Sequence, residues 1–364
     1  MSKFAVLAAG GTGGHMFPAQ SLAEELLRRG WRVALATDKR GLTYAGGFPE
    51  TVERRALKAA TPARGGLLAK IAAPIALFSG VLEAISWFKE DRPDAVIGFG
   101  GYPAAPATAA AIRLSVPRII HEQNAVLGRA NKLFVKRVDL LACGIGKPTN
   151  TPSGVETTIV GNPIRDTALA FADVPYAPVK DGPINLLAFG GSQGSKALSD
   201  TIPNALAGLP EALRARLRVT LQVREAGLDA AKDQLAQANI PADVAPFFED
   251  MPKRISEAHL VIARAGASTC AELTAIGRPA ILIPLPSAMG DHQTANARTL
   301  EQANGATLLP ESEMSAQSMT DLIASLLNDP ARLSQMAAAA KTLGRPTAAT
   351  DLADLVEQYA LRGR

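Results

Sequence analysis

Two glycine-rich loops hold most of the chemistry that this sequence offers. Gly10-Gly-Thr-Gly-Gly-His15 follows a short apolar run and leads into a helical pattern. Glycines let a backbone approach an anion, and a helix N-terminus adds unpaired N–H groups and the positive end of a dipole. The loop lacks the dinucleotide fingerprint, because after Gly11 and Gly13 the third glycine is due at Met16. It is not a P-loop either, since no Gly-Lys-Ser/Thr follows. Asp38, near the end of the second apolar run, keeps a dinucleotide site open. His15 can act as a neutral base where the dipole disfavours its charged form, or simply cap the helix. Gly190-Gly-Ser-Gln-Gly194 repeats the loop about half the chain later. Its Ser192 and local amides can hold a phosphate without a metal.

Other polar groups gather where apolar runs end. His121-Glu-Gln-Asn124 follows one such run directly, and polar clusters in that position line sites more often than they fill cores. Arg264-Ala-Gly-Ala-Ser-Thr269 turns into a helix that carries Glu272. A carboxylate there suits the two adjacent donors of a ribose diol, or stabilises its own helix by about 0.3–1 kcal/mol. Gly161-Asn-Pro-Ile-Arg165 puts an arginine where it can reach a phosphate. No Asp-x-Asp triplet occurs, so a bound nucleotide diphosphate would be neutralised by helix ends and Arg165, with no metal bridge.

The elements that position these groups repeat. Residues 3–9 predict a buried strand, 18–29 a helix with Leu22, Leu26 and Leu27 on one face, and 32–37 a second strand. Strands follow at 94–98 and 117–120 around a helix at 104–114. The pattern restarts with a strand at 184–189, a helix from about Lys196, and strands at 219–223, 260–263 and 280–284. The fold class is therefore α/β, with two Rossmann-like domains facing each other across a cleft and the polar motifs at the carboxyl ends of strands. A Pro- and Gly-rich linker spans 161–182. Residues 348–361 are helical by period, and the period does not say which half they join.

Composition excludes several classes. The chain has 364 residues, 47% hydrophobic and 20% charged, which is globular. Its two cysteines, Cys143 and Cys270, have no metal-ligand spacing. The first apolar run is too short for a signal peptide, and no stretch reaches about 20 uncharged apolar residues, so the expected setting is cytosolic and reducing. The net charge of +4 is too small to argue for nucleic acid. It is unevenly spread: residues 1–180 carry 22 Lys and Arg against 14 Asp and Glu, and 181–364 carry 16 against 20. The basic half is expected to meet something anionic, or its charges are ordinary solvated surface. Ile71, Ile75, Phe78, Leu82 and Ile85 recur at spacings of 3 and 4, with Trp87 and Phe88 after them and Lys70, Arg54, Arg55 and Arg64 upstream. Such a stripe lies in a membrane interface or faces a core.

Taken in order from residue 10 to 296, these motifs, with Asp291-His-Gln-Thr-Ala-Asn296, closely resemble the MurG family. Its members transfer N-acetylglucosamine from UDP-N-acetylglucosamine to lipid I in bacterial peptidoglycan synthesis. The resemblance implies a GT-B glycosyltransferase that inverts the anomeric centre without a metal or cofactor and makes a β-1,4 bond. It implies an acceptor- and membrane-facing domain at 1–165, a UDP-sugar domain at 166–345, and a C-terminal helix at 346–364 returning to the first domain.

Roles follow by motif. His15 is the expected base and Glu122 the second candidate. Thr12, Gly13 and Gly14 approach the donor sugar and diphosphate, and Asn124 holds the sugar. Arg165 and Ser192 meet the diphosphate, Phe248 packs near uracil, and Ala267, Ser268 and Thr269 meet diphosphate or sugar. Glu272 binds ribose; Gln293 with His292 reads the sugar hydroxyls. The implied partners are UDP-N-acetylglucosamine, lipid I and anionic inner-leaflet lipids, with no nucleic acid, at the cytoplasmic face of the membrane. The stripe at 71–85 is then expected at the lipid interface. One departure is Leu221-Gln-Val-Arg-Glu225, where the family commonly has His-Gln-Ser/Thr-Gly. An epimerase of UDP-N-acetylglucosamine and a non-catalytic sugar-nucleotide binder are the alternatives in other classes.

Overall fold

The structure, a computed structural model, describes residues 2–11, 13–59, 67–191 and 194–362, without the side chains of 67–73. The chain divides into two compact units, one formed by Met1–Arg165 with Pro346–Arg364 and the other by Asp166–Arg345.

In the first unit, β1 (Phe4–Ala9), β2 (Arg32–Thr37), β3 (Glu53–Ala56), β4 (Ala95–Gly100), β5 (Arg118–Glu122), β6 (Leu140–Cys143) and β7 (Thr157–Ile159) form one sheet. Its order is β3-β2-β1-β4-β5-β6-β7. In the second unit, β8 (Ile184–Phe189), β9 (Leu217–Gln222), β10 (Ala242–Ala245), β11 (Leu260–Ala263), β12 (Ala280–Leu282) and β13 (Ala306–Leu308) are ordered β10-β9-β8-β11-β12-β13. All these pairings are parallel. Each sheet starts in its middle, winds outward one way, then returns and winds the other way. The strand order reverses between β1 and β4 and again between β8 and β11, and open α/β sheets bind ligands at such points.

The strands at the reversal points are covered on both faces. All six residues of β1 are buried, which is why it is an unbroken apolar run with no alternation. Met16, Leu22 and Leu26 of the helix Gly13–Arg28 cover one face, together with Leu352, Val356 and Tyr359 of the C-terminal helix Ala348–Arg362. Trp87, Phe88 and Ala107 lie in the cluster on the other face. The second unit has one large aliphatic core, with Leu186, Leu221 and Ile262 at its centre. The C-terminal helix is tied to the first unit by more than apolar contact. Arg29 donates to Asp354 at 2.6 Å and to Glu357 at 3.2 Å, Trp31 Nε1 donates to Glu357 at 3.1 Å, and Tyr359 donates to Glu156 at 2.8 Å.

Three features differ from the sequence-based expectation. The first helix begins at Gly13, well before Pro18, and carries the proline inside; burial of Met16 and Ala19 holds the glycine segment in the helix. The expectation placed no strands at β3, β6, β7, β10 or β13, all of three or four residues and too short to show a period. Glu53–Ala56 is also polar and mostly exposed. The third concerns the helix Leu67–Glu90. Its Ile75, Phe78 and Leu82 are 66%, 65% and 52% exposed, while Trp87 and Phe88 are buried. Over its described side chains the apolar stripe thus turns outward at Ile75, Phe78 and Leu82 and inward near its end, while Arg64 and the side chains of Lys70 and Ile71 lie outside the described residues. Arg55 lies over the Trp87 ring at 4.6 Å, Lys58 pairs with Glu83 at 2.8 Å, and Arg54 donates to the Phe48 carbonyl at 2.9 Å. Among the described residues no helix is long and apolar enough to cross a membrane.

Candidate functional site

In the first unit the site is built from the loops that end β1 and β4. A Cβ on Gly10 would stand 2.5 Å from Pro103, and one on Gly101 would stand 2.5 Å from the Gly10 carbonyl oxygen. The two loops therefore meet backbone to backbone, and Gly11 and Gly101, at φ +99° and +74°, adopt conformations that side chains resist. Gly13, Gly14 and His15 form the first turn of the helix that follows. The His15 ring lies against Gly100 and Gly101, where an added Cβ would come within 3.2 Å of Cε1 and 3.5 Å of Cδ2.

The end of β5 supplies the ring's support. His15 Nδ1 lies 2.9 Å from Gln123 Oε1, and Gln123 Nε2 lies 2.9 Å from the His121 carbonyl oxygen and 3.1 Å from His121 Nδ1. His121 Nε2 in turn lies 2.9 Å from the Gly161 carbonyl oxygen. His121 and Gln123 are both fully buried. Burial, with a smaller push from His15, brings the His121 pKa down to about 4 against the raising effect of the Gly161 hydrogen bond.

Glu122 is turned to the other side and is fully engaged. Its Oε1 accepts from the Asn124 backbone N–H at 3.1 Å and Asn124 Nδ2 at 3.2 Å. Its Oε2 accepts from the Gly128 N–H at 2.8 Å and Asn131 Nδ2 at 2.8 Å. This buried carboxylate folds the 123–128 loop and anchors the helix Arg129–Phe134, whose N-cap is Gly128. Asn124 is thereby held at the loop's start. Arg165 reaches the same end of the unit, with its guanidinium 4.8 Å from the Phe17 ring centre, two residues beyond His15. Asp38 caps the short helix Lys39–Leu42 through Gly41 N–H at 2.6 Å, a local use for the side chain that had kept a dinucleotide site open.

In the second unit the loop after β8 is equally tight. A Cβ on Gly190 would stand 2.3 Å from the Ser195 amide nitrogen, and Gly191 and Gly194 have φ of +81° and +64°. Gln222 Oε1 accepts from Gly190 N–H at 3.0 Å while its Nε2 donates to the Pro246 carbonyl at 3.0 Å. Gln222 thus carries a structural job across the segment that departs from the family pattern. Arg264, also buried, donates to the Ile283 and Pro284 carbonyls at 3.1 and 3.0 Å, to Ser195 Oγ at 2.8 Å and to Glu311. It ties the loops after β8, β11 and β12 together.

The helix Ala267–Ile276 starts directly after that loop, with Gly266 as its N-cap. Ala267, Ser268 and Thr269 form its first turn, whose amides have no partner within the helix. Ser268 Oγ is buried with no hydrogen-bond partner among the described residues. Glu272 stands nearly two turns along and is buried. His292 Nδ1 donates to the Met289 carbonyl at 2.9 Å, and Gln293 Oε1 accepts from the Leu285 N–H at 3.0 Å. Phe248 is buried under the Arg254 guanidinium at 4.2 Å, whereas Phe247 is the exposed ring, at 64%.

Thr12 and Ser192 lie outside the described residues. The structure brings His15, Asn124 and Arg165 to one end of the first sheet, and Ser268, Thr269, Glu272 and Gln293 to one end of the second. Sequence reasoning gave no role to Gln123, Gln222, Asn131 or Arg264. Gln123 and Arg264 stood inside motifs already noted, and Asn131 carried no signal at all. Both cysteines are buried, and burial pushes their thiols up to about 12, which leaves neither as a nucleophile at neutral pH.

Residues 5–142 match the glycosyltransferase family 28 N-terminal domain and 185–355 match the family 28 C-terminal domain. A protein of Caulobacter vibrioides is 49% identical over 363 residues, covering 99% of this chain and 100% of that one. A protein of Phenylobacterium zucineum is 47% identical over 368 residues, covering both chains completely. Both are named UDP-N-acetylglucosamine--N-acetylmuramyl-(pentapeptide) pyrophosphoryl-undecaprenol N-acetylglucosamine transferase. The crystal structure of Acinetobacter baumannii MurG superposes with a TM-score of 0.81 at 32% identity, covering 98% of this chain and 99% of that one.

Proposed function

The chain belongs to glycosyltransferase family 28, and from that premise we propose that it transfers N-acetylglucosamine from UDP-N-acetylglucosamine to the muramyl 4-hydroxyl of lipid I. The products are lipid II and UDP, in the peptidoglycan synthesis on which wall growth, cell shape and division depend. The fold is GT-B, with a parallel sheet in each unit. The observation that carries the mechanism is the placing of His15. It sits on a helix's first turn between two glycine loops at a strand-order reversal, with a fixed partner on one ring nitrogen.

In this reaction the acceptor oxygen attacks the anomeric carbon from the face opposite the diphosphate. The bond from that carbon to the diphosphate oxygen breaks, and its electron pair leaves on UDP. The hydroxyl proton passes to the His15 imidazole. One displacement inverts the centre and gives the β-linkage. Glu122 is a poorer base than His15, because both its oxygens already accept from four N–H groups that shape the loop.

The second unit holds the donor. Glu272 accepts from the ribose diol. The glycine loop with Ser192, the Ala267–Thr269 amides and the helix end stabilise the diphosphate with no metal. Gln293 and His292 select the sugar epimer, and Phe248 packs near uracil beside the exposed Phe247. From the first unit, Thr12, Gly13, Gly14 and Asn124 meet the sugar, and Arg165 meets the phosphates.

The first unit also docks on the inner leaflet, where the undecaprenyl chain of lipid I resides. The exposed Ile75, Phe78 and Leu82 support this, since apolar side chains on one outward helix face suit an interfacial helix. Basic residues of this half add about 1 kcal/mol each near an anionic surface.

The test is turnover with UDP-N-acetylglucosamine and a lipid I analogue in the presence of EDTA. UDP and the disaccharide product are expected, and donor without acceptor should give neither UDP nor an epimer. His15→Ala should lower kcat far more than donor affinity. Absence of product, or an absolute metal requirement, rejects the reading.

A further inference from the structure

We propose that Gln123 is a positioning residue, which holds the His15 imidazole as its Nδ1–H tautomer and so makes Nε2 the ring's one basic nitrogen. The inference deepens the reading of His15 as the base and rests on it.

Donors and acceptors along this chain of side chains fix the tautomer. The His121 carbonyl oxygen can only accept, and it lies 2.9 Å from one end of the Gln123 amide. The amide flipped the other way would set two oxygens face to face at that distance with no hydrogen between them. Nε2 therefore faces His121, and the amide oxygen faces His15 at 2.9 Å. That oxygen can only accept as well, so His15 Nδ1 carries the hydrogen.

The far end of the chain is fixed in the same way. His121 Nε2 lies 2.9 Å from the Gly161 carbonyl oxygen and so carries its own hydrogen. His121 Nδ1 is then bare in the neutral ring and accepts the second Gln123 N–H at 3.1 Å. Every hydrogen has an acceptor. A charged His121 would set two donors against each other, and its burial, which brings its pKa to about 4, keeps it neutral in working conditions. His121 and Gln123 are fully buried, so water is not at hand to replace either partner.

The chain also explains why motifs distant in sequence are joined. Gly161 has φ of +90°, a conformation suited to glycine, and this aims its carbonyl at His121. Through His121 and Gln123, that carbonyl sets which face of the His15 ring is a base. Without Gln123, the ring would distribute between its two neutral tautomers, and only one of them presents Nε2 as a lone pair.

Long-range proton–nitrogen NMR of the uniformly 15N-labelled full chain tests this above neutral pH, without substrates. The four histidines keep the spectrum simple, and a His15→Ala sample identifies the His15 signals. The expected pattern is a protonated Nδ1 and a bare Nε2. Gln123→Leu should mix the tautomers and lower kcat about tenfold, the effect of one neutral hydrogen bond, while the KM for UDP-N-acetylglucosamine stays within about twofold. A wild-type His15 protonated on Nε2 overturns the proposal. So does a Gln123→Leu protein with unchanged tautomers and kcat. The nitrogen signals need no turnover: a correct tautomer in a protein that transfers no sugar sinks the functional reading alone, and active protein with the wrong tautomer sinks only this one.

Discussion

Glu122 offers the sharpest separation of a structural from a catalytic carboxylate. Its side chain is 1% exposed and accepts four hydrogen bonds between 2.8 and 3.2 Å. Glu122→Ala removes the acceptors and strands the half-buried Gly128 N–H and the buried Asn131 amide. A hydrogen bond to a charged group contributes about 1.5–3 kcal/mol, and an orphaned buried donor costs about 1–3 kcal/mol. Local relaxation and water entry will recover part of the sum, so about 4 kcal/mol is expected. In a unit of this size that lowers Tm by about 8–16 °C. Glu122→Gln keeps the shape but turns one end of the amide into a donor facing donors. It should cost about 2 kcal/mol and leave kcat at 25 °C within about tenfold of wild type. A general base contributes about 100- to 10,000-fold. Thermal melting followed by circular dichroism, with turnover measured well below both transitions, separates the two roles. An unshifted Glu122→Ala melt refutes the structural argument. A normally folded Glu122→Gln with kcat down more than about a hundredfold would make Glu122 the base.

Three further outcomes are expected. His121 is held well below its unfolded value, at about 4. The unfolded chain therefore binds more protons between that value and about 6.5, and stability is complete above pH 7 and falls by about 3 kcal/mol as pH drops to 4. Denaturant melts of wild type and His121→Asn across this range check it, and identical pH slopes in the two would contradict it. The His15 ring beyond Gln123, the Phe99 ring and the Gly161 carbonyl face His121, and among the described residues no carboxylate is hydrogen-bonded to it to reverse the sign. Glu272→Ala should weaken donor binding about 10- to 100-fold, the loss of hydrogen bonds to a charged acceptor, with a smaller effect on kcat; calorimetry with UDP-N-acetylglucosamine reads it, and a pure kcat loss would be inconsistent. Replacing both Phe78 and Leu82 by Ser should reduce binding to anionic vesicles at least about tenfold, given about 1.5–3 kcal/mol per buried apolar side chain, without altering the melt. Equal partitioning of variant and parent would place the lipid contact elsewhere.

The alternation of apolar runs, glycine loops and helical periods was enough to place two α/β domains and the residues at their strand ends. Those signals are local: a glycine loop, a polar cluster after an apolar run and a carboxylate on a helix's early turns each declare themselves within about ten residues. Short edge strands such as Glu53–Ala56 did not, because pairing with a neighbour makes them strands and their own residues do not. The helix Leu67–Glu90 shows the same limit. Its spacing is equally compatible with core and surface, and only their exposure in the tertiary structure shows that Ile75 and Phe78 face outward.

What the sequence determined by itself was which chemical groups are present and which strand ends carry them. The tertiary structure decided their roles. Glu122 and Gln123 are adjacent in the chain but point to opposite faces, so one folds a loop and the other orients His15. Residues 348–362, neutral as to domain by their period, belong to the first unit because Leu352, Val356 and Arg29's carboxylate partners complete its core and edge. His15 and Gln123 stand 108 positions apart, and Arg29 stands 325 and 328 positions from Asp354 and Glu357, so no local pattern encodes those contacts.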